Sequence, residues 1–497
     1  MLDALSTAGF NTPMTLDFPP SLIGLFLFLL GSCVGSFLNV VAWRLPFRGQ
    51  PVSFGGRSGP LTLSWPPSHC PNCKQGIKPY YNIPILGWFM LRGRCGHCRE
   101  PISLRYPLVE LAVGLMFLSL YLAYYHTALT QRGFVSLAHG GPTLALHLLY
   151  VVILLAASAI DADWFEIPLV LTNVLMAAAL VWCVLGRQPM LPQVSAAGPW
   201  GRMALGGAVG VVLSLVLLHF KLLPRSFDSE HSPLGAEPAT PKANGPDNNP
   251  MAADLAEGGP PAYLSRRRNK LALAAVAALV LLAAAAWWQF AGLGAAAATL
   301  MAAILIFLLA VLPQRQQADA VTQTVTEESE SPNARREAGK ELLFLLAPVT
   351  LAIVAALAPL PLPAAGWLDR LAGVLLGLEV GGLLVWLTRI FGTLALGRVA
   401  MGLGDVHLMA AVGAVVGAKL VVLAFFMAPF FALAWTLVCM LSRRVQVLPY
   451  GPWLSMAAIM VLLVGHPLWH WYMTVAFGAT AAHRAPAAPI HWPGEPP

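Results

Sequence analysis

Apolar runs recur along this chain at lengths that match a bilayer. Stretches near 22–41, 107–124, 143–160, 167–185 and 203–222 can each span a hydrocarbon layer of roughly 30 Å as a helix. Further runs lie near 271–290, 292–312, 342–358, 367–390, 406–419, 420–441 and 447–465. Open strands cannot cross lipid, so the runs predict helices. The expected fold is an all-α polytopic integral membrane protein with about 10–12 transmembrane helices. The range reflects the short 406–419 run and the 271–312 stretch, which reads as one hairpin or a re-entrant element.

Polar stretches set the expected boundaries. Residues 1–21 form a short N-terminus ahead of a first helix at 22–43, and 44–106 form a loop domain. A first membrane half covers 107–222, an insertion covers 223–341, a second membrane half covers 342–466, and 467–497 is a tail. Within the insertion, 224–266 and 314–340 are polar, lack hydrophobic periodicity and read as disordered linkers around the apolar hairpin 271–312.

Composition agrees with a membrane protein: 57% of residues are hydrophobic and 11% charged, against roughly 25% charged in soluble domains. The net charge of +7 reflects topology, not a nucleic-acid partner, because the cations cluster in loops beside apolar runs. From Arg44 to Arg105 there are nine Lys/Arg and one acid, Glu100, which predicts a cytoplasmic loop and an extracytoplasmic N-terminus. Met1–Pro20 has no Lys or Arg, so the first run is expected to be a retained helix, not a cleaved signal. Counting crossings from there puts Asp161, Arg266–Arg268, Arg398, Asp405 and Arg443–Arg444 on the cytoplasmic side.

Two patterns carry chemistry. Cys70-Pro71-Asn72-Cys73 and Cys95-Gly96-His97-Cys98 are Cys-x-x-Cys knuckles at nearly zinc-ribbon spacing, able to close a four-thiolate site around Zn²⁺. The alternative, two disulfides or redox pairs, fits poorly with a reducing cytoplasm. Four sulfurs leave the metal no open position for substrate, so its expected role is structural. His69 and His97 read as bystanders, and Cys33, Cys183 and Cys439 as buried packing residues. The second pattern is a pair of aspartates at the edges of apolar runs: Asp161 after Ser158-Ala159-Ile160, and Asp405 after Gly402-Leu403-Gly404. Such acids are costly in a membrane and usually functional. Two of them can share a proton and act as an acid-base pair, one activating water and one polarising a carbonyl. Gly402 and Gly404 would let an extended substrate approach Asp405, or else serve close helix packing. Asp163 competes with Asp161 for the first role, Glu166 reads as an interfacial charge, and Glu379 as structural polarity facing the bundle.

Several segments resemble the bacterial type IV prepilin peptidases, a Gly-x-Gly-Asp type of aspartic peptidase. They are Gly35-Ser36-Phe37-Leu38-Asn39-Val40-Val41 with Arg44-Leu45-Pro46, the paired knuckles, and Ile102-Ser103-Leu104-Arg105-Tyr106-Pro107-Leu108-Val109-Glu110-Leu111. Ile160-Asp161 with Ile167-Pro168, Gly402-Leu403-Gly404-Asp405-Val406, and Pro449-Tyr450-Gly451-Pro452 follow in the same order as in that family. The resemblance covers roughly residues 22–220 and 367–465. It implies an inner-membrane endopeptidase that removes the basic leader of prepilins or type II secretion pseudopilins after a glycine. Asp161 and Asp405 would then be catalytic, supported by Gly402 and Gly404, with Cys70, Cys73, Cys95 and Cys98 on zinc. Many members also methylate the new N-terminus with S-adenosylmethionine. The implied setting is the inner membrane, with the active site at the cytoplasmic face and the pilus or type II secretion assembly machinery as partner.

Leu169 and His407 depart from the family's pattern beside the two aspartates. A basic leader is expected to meet local acids such as Asp163 or Glu166. Other readings of the acids are a transporter or channel, and a catalytically silent assembly factor.

Overall fold

A computed structural model describes residues 19–131 except 55, 137–185, 192–226, 293–311, 334–358, 362–441 except 364, and 449–465 except 463 and 464. Long apolar sequence with helix-permissive composition folds as helices: α1 (Pro20–Arg44), a short α2 (Leu86–Met90), α3 (Arg105–Gln131), α4 (Leu137–Trp164), α5 (Leu169–Leu185) and α6 (Pro199–His219). After them come α7 (Leu293–Val311), α8 (Ala334–Leu357), α9 (Gly366–Leu396), α10 (Leu403–Val416), α11 (Ala418–Leu441) and α12 (Gly451–Leu462). Seven of the described helices are long and apolar enough to cross a membrane, and four shorter apolar helices accompany them, so the protein is multi-pass. The predicted run at 271–290 lies outside the described residues. Helix α8 starts at Ala334, so it runs through the expected boundary between insertion and second half.

Small residues let the helices approach closely, as membrane interfaces require where no hydrophobic effect draws helices together. On α9 and α10, a Cβ added at Gly377 would lie 2.0 Å from the Gly413 carbonyl oxygen, and one at Gly413 would lie 1.9 Å from that of Gly377. Backbone therefore touches backbone, and α10 is fixed against α9 with no side chain between them. Gly35 of α1 does the same against Glu110 of α3, where an added Cβ would be 2.8 Å from the Glu110 Cα. Helix α7 packs on α3 and α4, which ties part of the predicted insertion to the first membrane half.

The loop after α1 makes a small antiparallel hairpin, Pro51–Phe54 paired with Arg57–Pro60. Trp43 and Phe47 at the end of α1 bury Val52 and Leu61 from this loop domain. The ring of Trp164 at the end of α4 packs edge-on to Phe47 with centroids 4.7 Å apart. The Arg105 guanidinium forks onto Asp163, at 2.8 and 2.5 Å. These contacts hold the loop domain against the end of α4, beside Asp161.

One packing expectation is corrected. Cys183 is buried, its thiol 2.9 Å from the Leu180 carbonyl, but Cys33 is exposed, on the face of α1 turned away from α3. Lipid tails are as apolar as a protein core, so a thiol gains little by being inside. The side chain of Cys439 lies outside those described.

Candidate active site and metal centre

Asp161 lies in the last turn of α4, 7% exposed. Asp405 lies in the first turn of α10, 8% exposed, after an extended Gly402 that ends the preceding loop. The two carboxylates face each other closely enough for their charges to interact. The chain brings them together with glycine and one isoleucine. A Cβ on Gly404 would lie 2.9 Å from the Ile167 Cβ, so the Ile167-Pro168 turn after α4 rests directly on the first turn of α10, which carries Asp405.

A third segment completes the site. The Gly451 N–H, at the start of α12, donates to Asp161 Oδ2 at 2.9 Å. A Cβ there would sit 2.6 Å from that oxygen, so no larger residue fits without moving the carboxylate. Sequence reasoning noted Pro449-Tyr450-Gly451-Pro452 only as a resemblance and gave Gly451 no role.

Behind Asp405 is a buried polar frame that sequence reasoning also missed. Arg389 of α9 pairs through Nε with Glu341 of α8 at 3.0 Å, both nearly inaccessible. Its Nη1 donates to the Met401 carbonyl just before the Gly402-Leu403-Gly404-Asp405 segment. The Trp386 indole N–H also donates to Glu341, at 2.8 Å, and the Ala400 N–H donates to the Thr393 hydroxyl at 3.2 Å. The available signal was a lone cation inside an apolar run, which is costly unless it is partnered.

The other acids are elsewhere. Asp163 is taken up by Arg105, which leaves Asp161 as the one facing Asp405. Glu166 is half-buried after α4. Glu379 lies on α9 against Gly207 of α6, where an added Cβ would meet both its oxygens at 2.7 Å, in keeping with a bundle-facing acid. Leu169 is exposed at the start of α5, and the His407 ring donates from Nδ1 to the Leu403 carbonyl of its own helix at 3.0 Å.

The four loop cysteines converge. Their sulfurs all lie within 4.8 Å of one another, with Cys70 to Cys98 at 3.8 Å and Cys73 to Cys95 at 3.9 Å. A tetrahedron of Zn–S bonds of about 2.3 Å has edges of about 3.8 Å, so the set can hold a metal ion and is compatible with structural zinc. The two knuckles repeat one backbone design. Each closes with the N–H of the residue after its second cysteine, Lys74 or Arg99, bonded to the first cysteine's carbonyl, and each of those residues takes a positive φ. His97 offers its backbone N–H to the Cys95 sulfur, and the His69 ring bonds the Pro67 carbonyl.

Burial pushes the Cys70 thiol up to about 12. Burial acts the same way on Cys95, but hydrogen bonds from the Cys98 and His97 backbone and from the neighbouring thiols outweigh it and bring Cys95 down to about 7. At neutral pH the cluster thus offers a thiolate to start metal capture, and the remaining protons must leave as the ion binds. Metal uptake by the chelator-stripped protein should release protons and weaken as pH falls below about 7, as read by zinc titration with a pH indicator. Uptake independent of pH between about 6 and 8 would contradict thiolate ligation.

Fold and site together define a multi-pass helical membrane protein with a four-thiol loop domain and a pair of buried aspartates at one end of the bundle. Residues 29–124 match the Bacterial Peptidase A24 N-terminal domain. The chain is 38% identical over 174 residues to an Escherichia coli O78:H11 type 4 prepilin-like proteins leader peptide-processing enzyme, covering 34% of this chain and 60% of the relative. It is 40% identical over 163 residues to a Klebsiella pneumoniae prepilin leader peptidase/N-methyltransferase, covering 33% of this chain and 63% of the relative. A Burkholderia pseudomallei protein of the same name is 35% identical over 213 residues, covering 40% and 61%. The chain thus spans under two thirds of the length of these curated relatives. No solved structure matches.

Proposed function

We propose that the protein is a membrane aspartic endopeptidase that removes the basic leader from type IV prepilins or type II secretion pseudopilins, cutting after glycine, and then methylates the new N-terminus. The observation that carries the reading is the meeting of Asp161 and Asp405, buried together with the Gly451 N–H on Asp161. One carboxylate takes a proton from water as the water oxygen attacks the scissile carbonyl, while the other gives its proton to the carbonyl oxygen. Collapse of the tetrahedral adduct breaks the C–N bond, and the amine leaves with a proton from the pair. Gly402 keeps the approach to Asp405 free of a side chain, while Gly404 lets the Ile167-Pro168 turn pack against the start of α10.

The loop domain is cytoplasmic, held by a structural zinc ion on Cys70, Cys73, Cys95 and Cys98, and the aspartates open at the same face of the inner membrane. The basic charge from Arg44 to Arg105 supports that orientation. A leader that stays in the cytoplasm while its apolar stem enters the bilayer presents its scissile bond at this depth. S-adenosylmethionine, when bound, supplies the methyl group to the freed amine. The names of the relatives, which couple leader peptidase with N-methyltransferase, support the second activity. Pilus or secretion assembly receives the product.

The test incubates membranes carrying the protein with a reporter that has a basic leader, a glycine and an apolar stem. One cut after the glycine is expected, with a product heavier by one methyl group once S-adenosylmethionine is added. An intact reporter in the presence of folded protein would overturn the peptidase reading, and an unmethylated product would overturn the methyl-transfer half.

A further inference from the structure

The short helix α2 belongs to the loop domain, yet it sits beside the membrane-spanning helices. The Ile85 N–H, just ahead of Leu86–Met90, donates to a Glu110 carboxylate oxygen at 2.6 Å. Glu110 is five residues into α3, whose apolar span begins at Arg105, and at about 1.5 Å per residue that places it about 7.5 Å inside the span. Gly35 packs on the same residue, nine positions before α1 ends at Arg44, or about 14 Å in along that helix. The loop domain therefore dips one segment to the depth at which headgroups give way to acyl chains.

Further contacts pin the segment on its inner side. The Trp88 indole N–H donates to the Ile102 carbonyl at 3.1 Å, and a Cβ on Gly87 would lie 2.1 Å from the Tyr81 carbonyl oxygen. Ile85 takes φ 63°, a conformation that a β-branched residue keeps only where its surroundings dictate it. The outer side is bare. Leu86, Phe89 and Met90, at helical spacing and so on one face, are 58%, 58% and 57% exposed, and Ile83 is exposed one turn earlier. Large apolar side chains clustered in this way mark a contact surface. Lys78 precedes the segment and Arg92 and Arg94 follow it, all exposed, and no Asp or Glu lies between 78 and 94. Cations around an apolar face match an anionic lipid surface, where headgroups take the charge and acyl chains take the side chains. The same cations oppose the basic leader of a substrate as occupant.

We infer that residues 79–91 anchor the loop domain in the membrane interface, with Ile83, Leu86, Phe89 and Met90 inserted in the leaflet on that side and Lys78, Arg92 and Arg94 on anionic headgroups. Neither leader cleavage nor methyl transfer enters into it. The domain thus rests on the bilayer through a contact of its own, in addition to the ends of α1, α3 and α4.

Spin labelling of the full-length, zinc-loaded protein in vesicles reads the depth directly. Phe89→Cys, with Cys33, Cys183 and Cys439 replaced by Ala, carries one nitroxide at an exposed position. In vesicles of phosphatidylethanolamine and phosphatidylglycerol, that label should collide with oxygen more than with a water-soluble nickel chelate. A label at Arg57→Cys, on the hairpin beyond the end of α1, should show the reverse order. Exchanging phosphatidylglycerol for phosphatidylcholine, or introducing Arg92→Glu with Arg94→Glu, should shift the label at position 89 toward water. Zinc content and thermal melting identify any variant that has failed to fold. A second measurement uses the wild type: phospholipid with a diazirine near the headgroup end of its acyl chain should label residues 83–90. A label at position 89 that meets nickel more than oxygen, or a wild-type segment left unlabelled while the spans are labelled, would overturn the anchor. Insensitivity to both lipid charge and the two arginines would overturn the headgroup contact. Loss of oxygen access on adding a reporter with an apolar stem, or dipolar broadening between labels at position 89, would make the occupant a substrate or a second copy and overturn the lipid assignment.

Discussion

Asp161→Asn and Asp405→Asn should each lower leader cleavage by about 10³-fold or more, while the protein still inserts, folds and holds its metal. Asparagine is nearly the same size as aspartate, so the packing around Ile167, Gly404 and Gly451 survives the change. What it lacks is a group that can give and take a proton, and general acid-base steps contribute about 10²–10⁴-fold each. In the proposed mechanism the two carboxylates act as one unit, so the double variant should be little worse than either single one. Reporter cleavage rates by the three variants in detergent, with thermal melting alongside, check this. A single variant within about tenfold of wild type would remove that aspartate from the chemistry.

The second large effect is expected away from the carboxylates. Arg389→Leu leaves Glu341 buried without its cation, which destabilises by about 3–5 kcal/mol in comparable buried pairs. It also releases the Met401 carbonyl, and with it the loop that aims Asp405. The double variant Glu341→Leu with Arg389→Leu separates the two consequences. Removing both charges should recover most of the lost stability, since apolar replacements of whole buried pairs are often neutral. Cleavage should stay low, with kcat falling more than KM changes, because nothing then holds Met401. If activity returned together with stability, Arg389 would be a stabilising residue with no positioning role.

The helices were legible because lipid demands length and apolarity, and both can be counted along a chain. The described helices at Arg105–Gln131, Leu137–Trp164 and Gly366–Leu396 extend beyond their predicted runs, since polar residues at a membrane surface continue a helix without continuing its hydropathy. The cysteine knuckles were legible because metal geometry fixes local spacing. Asp161 and Asp405 stood out as acids in apolar surroundings, but the same criterion also raised Asp163 and Glu379, and only three-dimensional contacts separate them. Asp163 meets Arg105, and Glu379 meets Gly207. Gly451 and the Glu341–Arg389 pair were not legible. Their roles come from contacts between distant segments, 290 residues apart for Gly451 and Asp161 and 48 for Glu341 and Arg389, and no local pattern records such contacts.

The long reach of the Gly451 hydrogen bond bears on how the protein is made. The ribosome emits α4 with Asp161 well before α10 brings Asp405, and later still α12 supplies the Gly451 N–H. Until then the growing chain carries one carboxylate without its counterpart, and the translocon handles an inert helix. The carboxylate pair and its Gly451 hydrogen bond are therefore assembled only once α12, the last of the described helices, has been made.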